Sequence, residues 1–174
     1  NGLGMHVLGN TLWSGYANFD TAADEYFAAC YGEDGKKVKE FLSTLSELFD
    51  PTVLRGETPV RSKKNVANYR GIPLLIDQML PTIEKNSKET VYVWHRSWEC
   101  LEFYTRLCRK MALALQLLAE GKKEEMQSTW NQMRFLAYEN ELRFQREFDV
   151  FEFLLVWSSK ILNRLQDQEE AFIE

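Results

Sequence analysis

Three observations in the sequence predict an all-α fold, a helical bundle with two long C-terminal helices and shorter N-terminal helices. Apolar residues recur at steps of three and four along most of the chain, the spacing that lines one face of an α-helix. The 174 residues include only 9 Gly and 4 Pro, few for a loop-rich or all-β fold. No segment shows the alternation of apolar and polar residues that is typical of a strand. We therefore expect helices throughout.

The apolar spacing and the capping residues in the N-terminal part of the chain predict three short helices. Apolar residues over 3–12 follow a helical period, and a turn follows them. Asp20 or Thr21 is a suitable N-cap for a second helix, which we expect to end at Gly32 because glycine often follows the last helical turn. A third helix is predicted over 34–49, where apolar residues form one continuous stripe.

The middle of the chain is predicted to be less regular. Residues 51–64 have no helical period and include two prolines and a glycine, so we expect a surface loop there. A short helix is predicted over 65–69 and another from Gly71 onwards, since proline is tolerated in a first helical turn. Pro81 lies within the apolar pattern of that second helix and is expected to kink or shorten it.

Two long helices are predicted to form the rest of the chain. The first covers 88–119 and ends before Gly121. The second covers 123–168, where apolar residues alternate steps of three and four as in coiled coils. One extra four-residue step interrupts that alternation, so we expect this helix to bend or divide near 145–149. Asn140 occupies a core position and is expected to fix the helix register through hydrogen bonds.

Composition and charge exclude several classes of function. The 21 Lys and Arg against 26 Asp and Glu give a net charge of −5 with no basic block, so we expect no nucleic-acid partner. No apolar run reaches the ~20 residues that a membrane-spanning helix needs, so no membrane partner is expected. Three distant cysteines and two distant histidines form no zinc or di-iron spacing, so no metal and no cofactor are predicted. Reduced cysteines favour a cytoplasmic location, although the sequence leaves the localisation open.

Four residues are candidate contacts for a ligand or for a neighbouring domain. Trp13 and Tyr16 lie in a predicted turn, where aromatic side chains are accessible. His95 and Glu99 are one helical turn apart and could act as a general acid and base, although a solvated helix face with ordinary ion pairs explains them better. No catalytic residue is assigned, because the sequence contains no catalytic-triad order, phosphate loop or nucleophile elbow.

Two further groups of side chains have both a functional and a structural interpretation. The tryptophans at 94, 98, 130 and 157 could stack on sugar rings, but their helical spacing favours packing in the core. Carboxylates crowd residues 139–149 and could perform glycoside chemistry, but charged residues on the outer face of a helix are far commoner. We favour the structural interpretation for both groups.

The N-terminal part of the chain resembles a known domain junction. Its motifs are Leu12-Trp13, Asn18-Phe19-Asp20, Tyr31-Gly32 and Asp50-Pro51, separated from one another by a turn or a helix. They resemble a group of uncharacterised bacterial proteins in which a glycoside-hydrolase-like (β/α)8 barrel precedes a helical domain. That barrel is similar to those of β-N-acetylhexosaminidases and α-glucuronidases. Ser14-Gly15-Tyr16 departs from the Asp-Pro turn that is usual in the group.

The resemblance implies a division of the chain and a function. Residues 1–14 would be the last helix of the barrel and its junction, and residues 15–174 a helical accessory domain of unknown function. The accessory domain would be non-catalytic, bracing the barrel of a carbohydrate-active enzyme or shaping its cleft. Its partner would be that preceding barrel domain, with a carbohydrate ligand or a homodimer as further candidates. The catalytic carboxylates would lie in the barrel, outside this sequence.

The alternative is a free-standing helical bundle that serves as a protein-interaction or dimerisation module. The two hypotheses differ in which apolar surface they leave exposed. The accessory-domain hypothesis predicts an exposed patch around Leu3, Val7, Leu8 and Leu12. The alternative predicts that this segment is buried and that residues 148–161 carry the exposed apolar face. An independent enzyme built on the histidine–glutamate pair is a third interpretation, and the sequence favours it least.

Overall fold

Helices form every regular element in the computed structural model, which describes residues 2–15, 18–163 and 165. The α-helices are α1 (Gly2–Ser14), α2 (Phe19–Tyr31), α3 (Gly35–Phe49), α4 (Pro51–Leu54), α5 (Lys63–Asn86), α6 (Tyr92–Ala119), α7 (Lys123–Glu139), α8 (Glu141–Phe144) and α9 (Val150–Leu155). A π-helical segment, Val156–Leu162, continues α9. No strand occurs in the described ranges, and the all-α prediction is confirmed.

Helix α6 is the element around which the others are arranged. It packs along α5 on one side and α7 on another, and its N-terminal half also contacts α2. Helix α3 packs on α2 and α5. Trp98, Leu107, Leu115 and Leu118 of α6 are fully buried, so the hydrophobic core lies along this helix.

Side-chain caps and one glycine set the ends of the shorter helices. The Asn18 carboxamide oxygen accepts a hydrogen bond from the Thr21 backbone N–H at 3.0 Å and caps α2, a role that the sequence had suggested for Asp20 or Thr21. Gly32 ends α2 as predicted, because its φ of 63° is a conformation that side-chain-bearing residues rarely adopt. The Ser62 hydroxyl oxygen caps α5 by accepting from the Asn65 backbone N–H at 3.0 Å.

The prediction for residues 51–64 is only partly right, because a short helix forms inside the expected loop. Asp50 joins α3 to α4 with a left-handed φ of 51°. Its carboxylate accepts a hydrogen bond from the Thr52 backbone N–H at 3.2 Å and another from the Thr52 hydroxyl at 2.6 Å. These bonds cap α4, a local interaction that hydrophobic periodicity does not reveal.

The prediction of two separate helices, the second shortened at Pro81, is wrong. Helix α5 runs without interruption from Lys63 to Asn86 and contains both Pro73 and Pro81. Each proline removes one backbone hydrogen bond. We attribute the continuity to tertiary packing, because α5 buries an apolar face against α3 and α6. That face comprises Tyr69, Ile72, Ile76, Met79 and Ile83.

The long last helix divides, as the interrupted apolar spacing predicts. The division begins at Asn140, where α7 ends, and extends through α8 to the start of α9 at Val150. The expectation that Asn140 fixes the register between helices is wrong. Its side chain is half-buried, and its amide donates to the Leu136 backbone oxygen of its own helix at 2.9 Å. Asn140 therefore helps to end α7.

A substitution at Gly35 tests how closely α2 and α3 pack at their junction. A Cβ added to Gly35 would lie 2.5 Å from the Phe27 backbone oxygen, closer than any real contact. We expect Gly35→Ala to lower the free energy of unfolding by about 1–3 kcal/mol, because the backbone must shift to admit the methyl group. Urea denaturation followed by circular dichroism measures the change.

Gly4→Ala is the matched control, because a Cβ at Gly4 of α1 meets no atom within 4 Å. Alanine is the better helix former, so this variant should leave the free energy of unfolding unchanged or raise it by up to about 1 kcal/mol. Equal destabilisation by the two substitutions would contradict the close approach of α2 and α3.

Candidate functional site

Helix α6 brings His95 and Glu99 together on one face, as their spacing predicts. The His95 Nε2 and Glu99 Oε2 atoms are 3.9 Å apart. However, two arginines are closer to the Glu99 carboxylate than the histidine is. Arg96 Nη1 lies 3.1 Å from Glu99 Oε2, and Arg143 Nη2 lies 2.6 Å from Glu99 Oε1. The carboxylate is therefore engaged on both oxygens.

Arg96 connects α6 to the segment that follows α7. Its guanidinium makes a two-point hydrogen bond to Glu147, with Nε–Oε1 and Nη2–Oε2 distances of 3.0 and 2.7 Å, and it also donates to the Arg143 backbone oxygen. The Arg96 and Arg143 guanidinium carbons lie 4.8 and 5.2 Å from the centre of the Phe144 ring. We call Arg96, Glu99, Arg143 and Glu147 the Arg96 network.

The electrostatics of the Arg96 network argue against proton transfer by Glu99. Hydrogen bonds from Arg143, and secondarily from Arg96, lower the pKa of Glu99, and those from Arg96 lower the pKa of Glu147. Both carboxylates are thus held ionised with an arginine donor on each oxygen, which makes them poor proton acceptors. A surface depression of about 450 Å³ does lie over His95, but the carboxylates that line it belong to these ion pairs. The arrangement holds two parts of the fold together.

Trp13 is accessible, as the sequence predicts, while Tyr16 lies outside the described residues. Trp13 lies in the last turn of α1, not in the predicted turn after it, and 93 % of its surface is exposed. Met5, Leu8 and Leu12 of the same helix are 65, 49 and 77 % exposed. We call these four residues the outer face of α1. Helix α1 contains no fully buried residue.

The patch expected from the accessory-domain hypothesis is therefore present in part. Leu8 and Leu12 are exposed, as predicted, and Met5 and Trp13 extend the patch beyond them. Leu3 and Val7 are half-buried instead. They lie on the other side of the helix, the side on which His6 meets the Tyr26 ring of α2 at a centroid distance of 5.9 Å.

The remaining tryptophans serve packing, as favoured from the sequence. Trp98, Trp130 and Trp157 are buried, with 0, 5 and 9 % of their surface exposed. The half-buried Trp94 donates its indole N–H to the Ala29 backbone oxygen of α2 at 2.9 Å. Burial leaves Trp98, Trp130 and Trp157 no open face at the protein surface on which a sugar could stack.

Two acidic residues between α7 and α9, Glu147 and Asp149, have structural roles. Glu147 pairs with Arg96, and the Asp149 carboxylate caps α9 by accepting from the Glu152 backbone N–H at 2.9 Å. The structural interpretation of this acidic segment is supported for both residues.

A cavity that the sequence did not predict lies between α3, α6 and the segment from α8 to the π-helix. Its volume is about 550 Å³, and its walls are mostly apolar. Backbone contact between α3 and α6 is sparse in the described part of the chain, which leaves this space open. Its walls include Leu45, Phe49, Phe103, Leu107, Phe148 and Trp157.

Aromatic rings form a connected series along one side of the cavity. Phe103 stacks on Phe144 at a centroid distance of 4.5 Å and meets the edge of Phe148 at 5.7 Å. Phe153 lies 4.9 Å from Phe148 and 6.2 Å from Trp157. Trp157 in turn meets Phe49 of α3 at 6.4 Å. We call this series of rings the aromatic arc.

Hydrophobic periodicity could not separate the cavity walls from ordinary core. Phe49, Leu107 and Trp157 each fall on the apolar stripe of their own helix. Their convergence on one space depends on the break after α7 and on the spacing of α3 and α6, which are tertiary features. The clustering of aromatics near residues 144–157 was the available signal.

The cysteines do not provide a reactive nucleophile at neutral pH. All three are free. Burial raises the pKa of Cys30 and Cys100, and it raises the pKa of Cys108 to about 12. Each thiol is therefore protonated and weakly nucleophilic.

The comparisons with known proteins do not assign the chain to a family. No protein-family model matches it, and no similar protein was found among curated proteins or solved structures. In the described ranges, no group of three or more His, Cys, Asp or Glu is placed to hold a metal ion. None of the described helices combines the length and apolar character needed to cross a membrane. The fold places the protein in the class of all-α helical bundles.

The Arg96 network predicts an acid-sensitive contribution to stability. Glu99→Gln removes the charge that pairs with Arg96 and Arg143, and we expect the free energy of unfolding at neutral pH to fall by about 1 kcal/mol. The folded state lowers the pKa of Glu99, so its contribution is present above about pH 4.3, the ordinary glutamate value. It is lost as the pH falls through the lower folded value.

Urea denaturation across that pH range, on the native chain and on the variant, measures both effects. The difference between the two proteins should shrink as the solution is acidified. Glu102→Gln, an exposed glutamate on the same helix, is the control and should change the free energy of unfolding by no more than about 0.5 kcal/mol. If both variants behave alike, the Arg96 network does not stabilise the fold.

Proposed function

We propose that this chain is a non-catalytic helical module that packs on a neighbouring domain through the outer face of α1. The observation that carries the proposal is the exposure of that face. Single exposed apolar residues are normal on a protein surface, but four large ones on one helix form a patch of the kind that marks an interaction site. Burying one such side chain contributes about 1.5–3 kcal/mol, so the four could anchor a domain contact.

The partner that we propose is a (β/α)8 barrel of a carbohydrate-active enzyme, within the same protein. The resemblance at the junction motifs supports this choice, since Trp13, Asp20, Tyr31 and Gly32 match the pattern of that group. Helices on the outside of such a barrel bury one apolar side against it. Helix α1, with Leu3 and Val7 half-buried towards α2, would complete the barrel with its outer face.

A non-catalytic role is consistent with the chemistry of the described side chains. The carboxylate of Glu99 is held ionised by two arginines, and the thiols are protonated. In this proposal the module braces the barrel or forms one rim of its cleft. Proton transfer and sugar binding then belong to the barrel, and carbohydrate reaches this chain only at a shared edge.

A dimerisation module is the second candidate, and a separate surface favours it. Phe151 and Leu155 of α9 are 60 and 54 % exposed, and Tyr138 of α7, whose ring lies 6.0 Å from that of Phe151, is 43 % exposed. The alternative hypothesis predicted an exposed apolar face over residues 148–161, where Phe151 and Leu155 lie, but its prediction of a buried N-terminal segment is wrong for Leu8 and Leu12. Sedimentation equilibrium of Phe151→Asp beside the native chain tests it, since a dimer that uses this face should dissociate in the variant.

The first experiment is to measure the size of the native protein. An antibody raised against this chain, used on an immunoblot of source-cell extract, should detect a band several times larger than 20.4 kDa. That result supports a module attached to a larger domain. A band at 20.4 kDa would overturn the proposal and direct attention to the α7–α9 surface.

If the outer face of α1 packs on a neighbouring domain, Leu12→Asp should affect stability differently in the full-length protein and in the isolated chain. In the full-length protein, Leu12→Asp should lower the free energy of unfolding of the helical part by about 2–3 kcal/mol, because a charge replaces a buried apolar contact. In the isolated chain, where Leu12 is 77 % exposed, the change should stay within about 0.5 kcal/mol. Thermal and urea unfolding measure both values.

Leu74→Asp is the matched control, because Leu74 of α5 is 64 % exposed and does not belong to the outer face of α1. It should be near neutral in both contexts. A near-neutral Leu12→Asp in the full-length protein would contradict docking through α1.

A further inference from the structure

We propose that the cavity between α3, α6 and the segment from α8 to the π-helix binds an uncharged, flat, apolar small molecule. This site is distinct from the outer face of α1 and does not depend on the function proposed above. Four properties of the cavity support the inference. They are its size, the apolar chemistry of its walls, the ion pair that already engages Glu147 at its edge, and the irregular backbone that forms one side.

The size of the cavity is that of a ligand site. Its volume of about 550 Å³ is far larger than the voids left between well-packed side chains. Pockets that hold small organic ligands typically enclose about 300–1,000 Å³. Leu45 and Leu107, which are 1 and 0 % exposed, give it a fixed base between α3 and α6.

Four aromatic side chains form part of the cavity walls. Phe49, Phe103, Phe148 and Trp157 all belong to the aromatic arc and line the cavity. Aromatic rings prefer offset-stacked or edge-to-face neighbours with centroids about 4.5–7 Å apart, and the spacing within the arc lies in that range. A planar apolar guest can add one more member to this series. An aromatic or fused-ring ligand is therefore the best match.

The charges at the cavity exclude an ionic ligand. Among the described residues that line it, Glu147 is the one ionised at neutral pH, and its carboxylate already holds the two-point hydrogen bond from Arg96. A charged guest would lose its hydration without finding a free counter-charge. A sugar is disfavoured for a similar reason, because its many hydroxyl groups need partners that these walls mostly lack. The exposed Ser46 at the rim can accommodate one polar substituent.

The backbone on one side of the cavity is irregular. The break after α7 leaves Phe148 outside any helix, and Trp157 lies in the π-helical segment. Segments of π-helix occur mostly as single turns and are frequent at functional sites. Here the two irregularities place Phe148 and Trp157 at the same cavity.

The test uses N-phenyl-1-naphthylamine, an uncharged aromatic probe that carries a flat naphthalene ring and whose fluorescence rises in apolar surroundings. The native chain should bind it saturably at one site. Ser46→Trp places an indole at the rim of the cavity and should weaken binding at least about tenfold. Ser43→Trp, the same substitution on an exposed residue of α3 that does not line the cavity, should change binding by less than about twofold.

Three results would overturn the proposal. One is the absence of saturable binding to the native chain. Another is an equal response of the two tryptophan variants, which would place the probe elsewhere. The third is equal or tighter binding of the anionic analogue 1-anilinonaphthalene-8-sulfonate, which should bind at least about tenfold more weakly than the neutral probe.

Nuclear magnetic resonance gives a second measurement that needs no variant. The probe should show intermolecular nuclear Overhauser effects to the methyl group of Met111, which lines the cavity. It should show none to Met5 on the outer face of α1, which is 65 % exposed. Contacts to Met5 alone would mean that the probe covers the proposed docking face, and would overturn the cavity as a binding site.

Discussion

The burial of α6 is the constraint on which the rest of the structure depends. Its last nine residues, 111–119, are all apolar except Gln116, and a helix segment of that kind must be enclosed by other elements. Small residues, Ala112, Ala114 and Ala119, alternate there with leucines and let α5 and α7 approach closely. The same requirement explains why α5 continues through two prolines, since an interruption would uncover α6. The burial of α6 thus outweighs the tendency of the two prolines to interrupt α5.

The N-terminal half of α6 is organised differently, and it carries His95 and Glu99 as well as part of the cavity wall. Here the helix carries charged and aromatic residues, and besides packing on α2 it is joined to the segment after α7 by specific side-chain contacts. The Arg96 network fixes the segment after α7 on one side, while the aromatic arc forms the boundary of the cavity on the other. One end of the bundle is therefore a packed core, and the other end has room for a ligand.

The sequence predicted well those features that depend on local periodicity. The helical class, α3 and α6 with their buried stripes, and the end of α2 at Gly32 all follow from spacing and from one glycine. Pro73 and Pro81 misled the prediction, because tertiary burial compensates for the hydrogen bonds that they remove. The cavity could not be predicted from the sequence, because it depends on where separate helices diverge in the folded chain. The pairing of His95 with Glu99 was visible in the spacing, but the arginines that neutralise Glu99 come partly from another segment.

The short helices after α7 have a consequence for how the molecule opens. Helix α8 has 4 residues, and α9 has 13 together with the π-helical segment that continues it, lengths that are marginal without tertiary support. Their order therefore depends on the ion pairs and rings that attach α8 to α6, and on the rings that attach α9 and its continuation to α7 and α3. Backbone amides of this segment should exchange with deuterated solvent well before those of α6, through a local opening that leaves the core folded. Such an opening would also give a ligand a route into the cavity. The rate at which the ligand enters would then be set by the rate at which this segment opens.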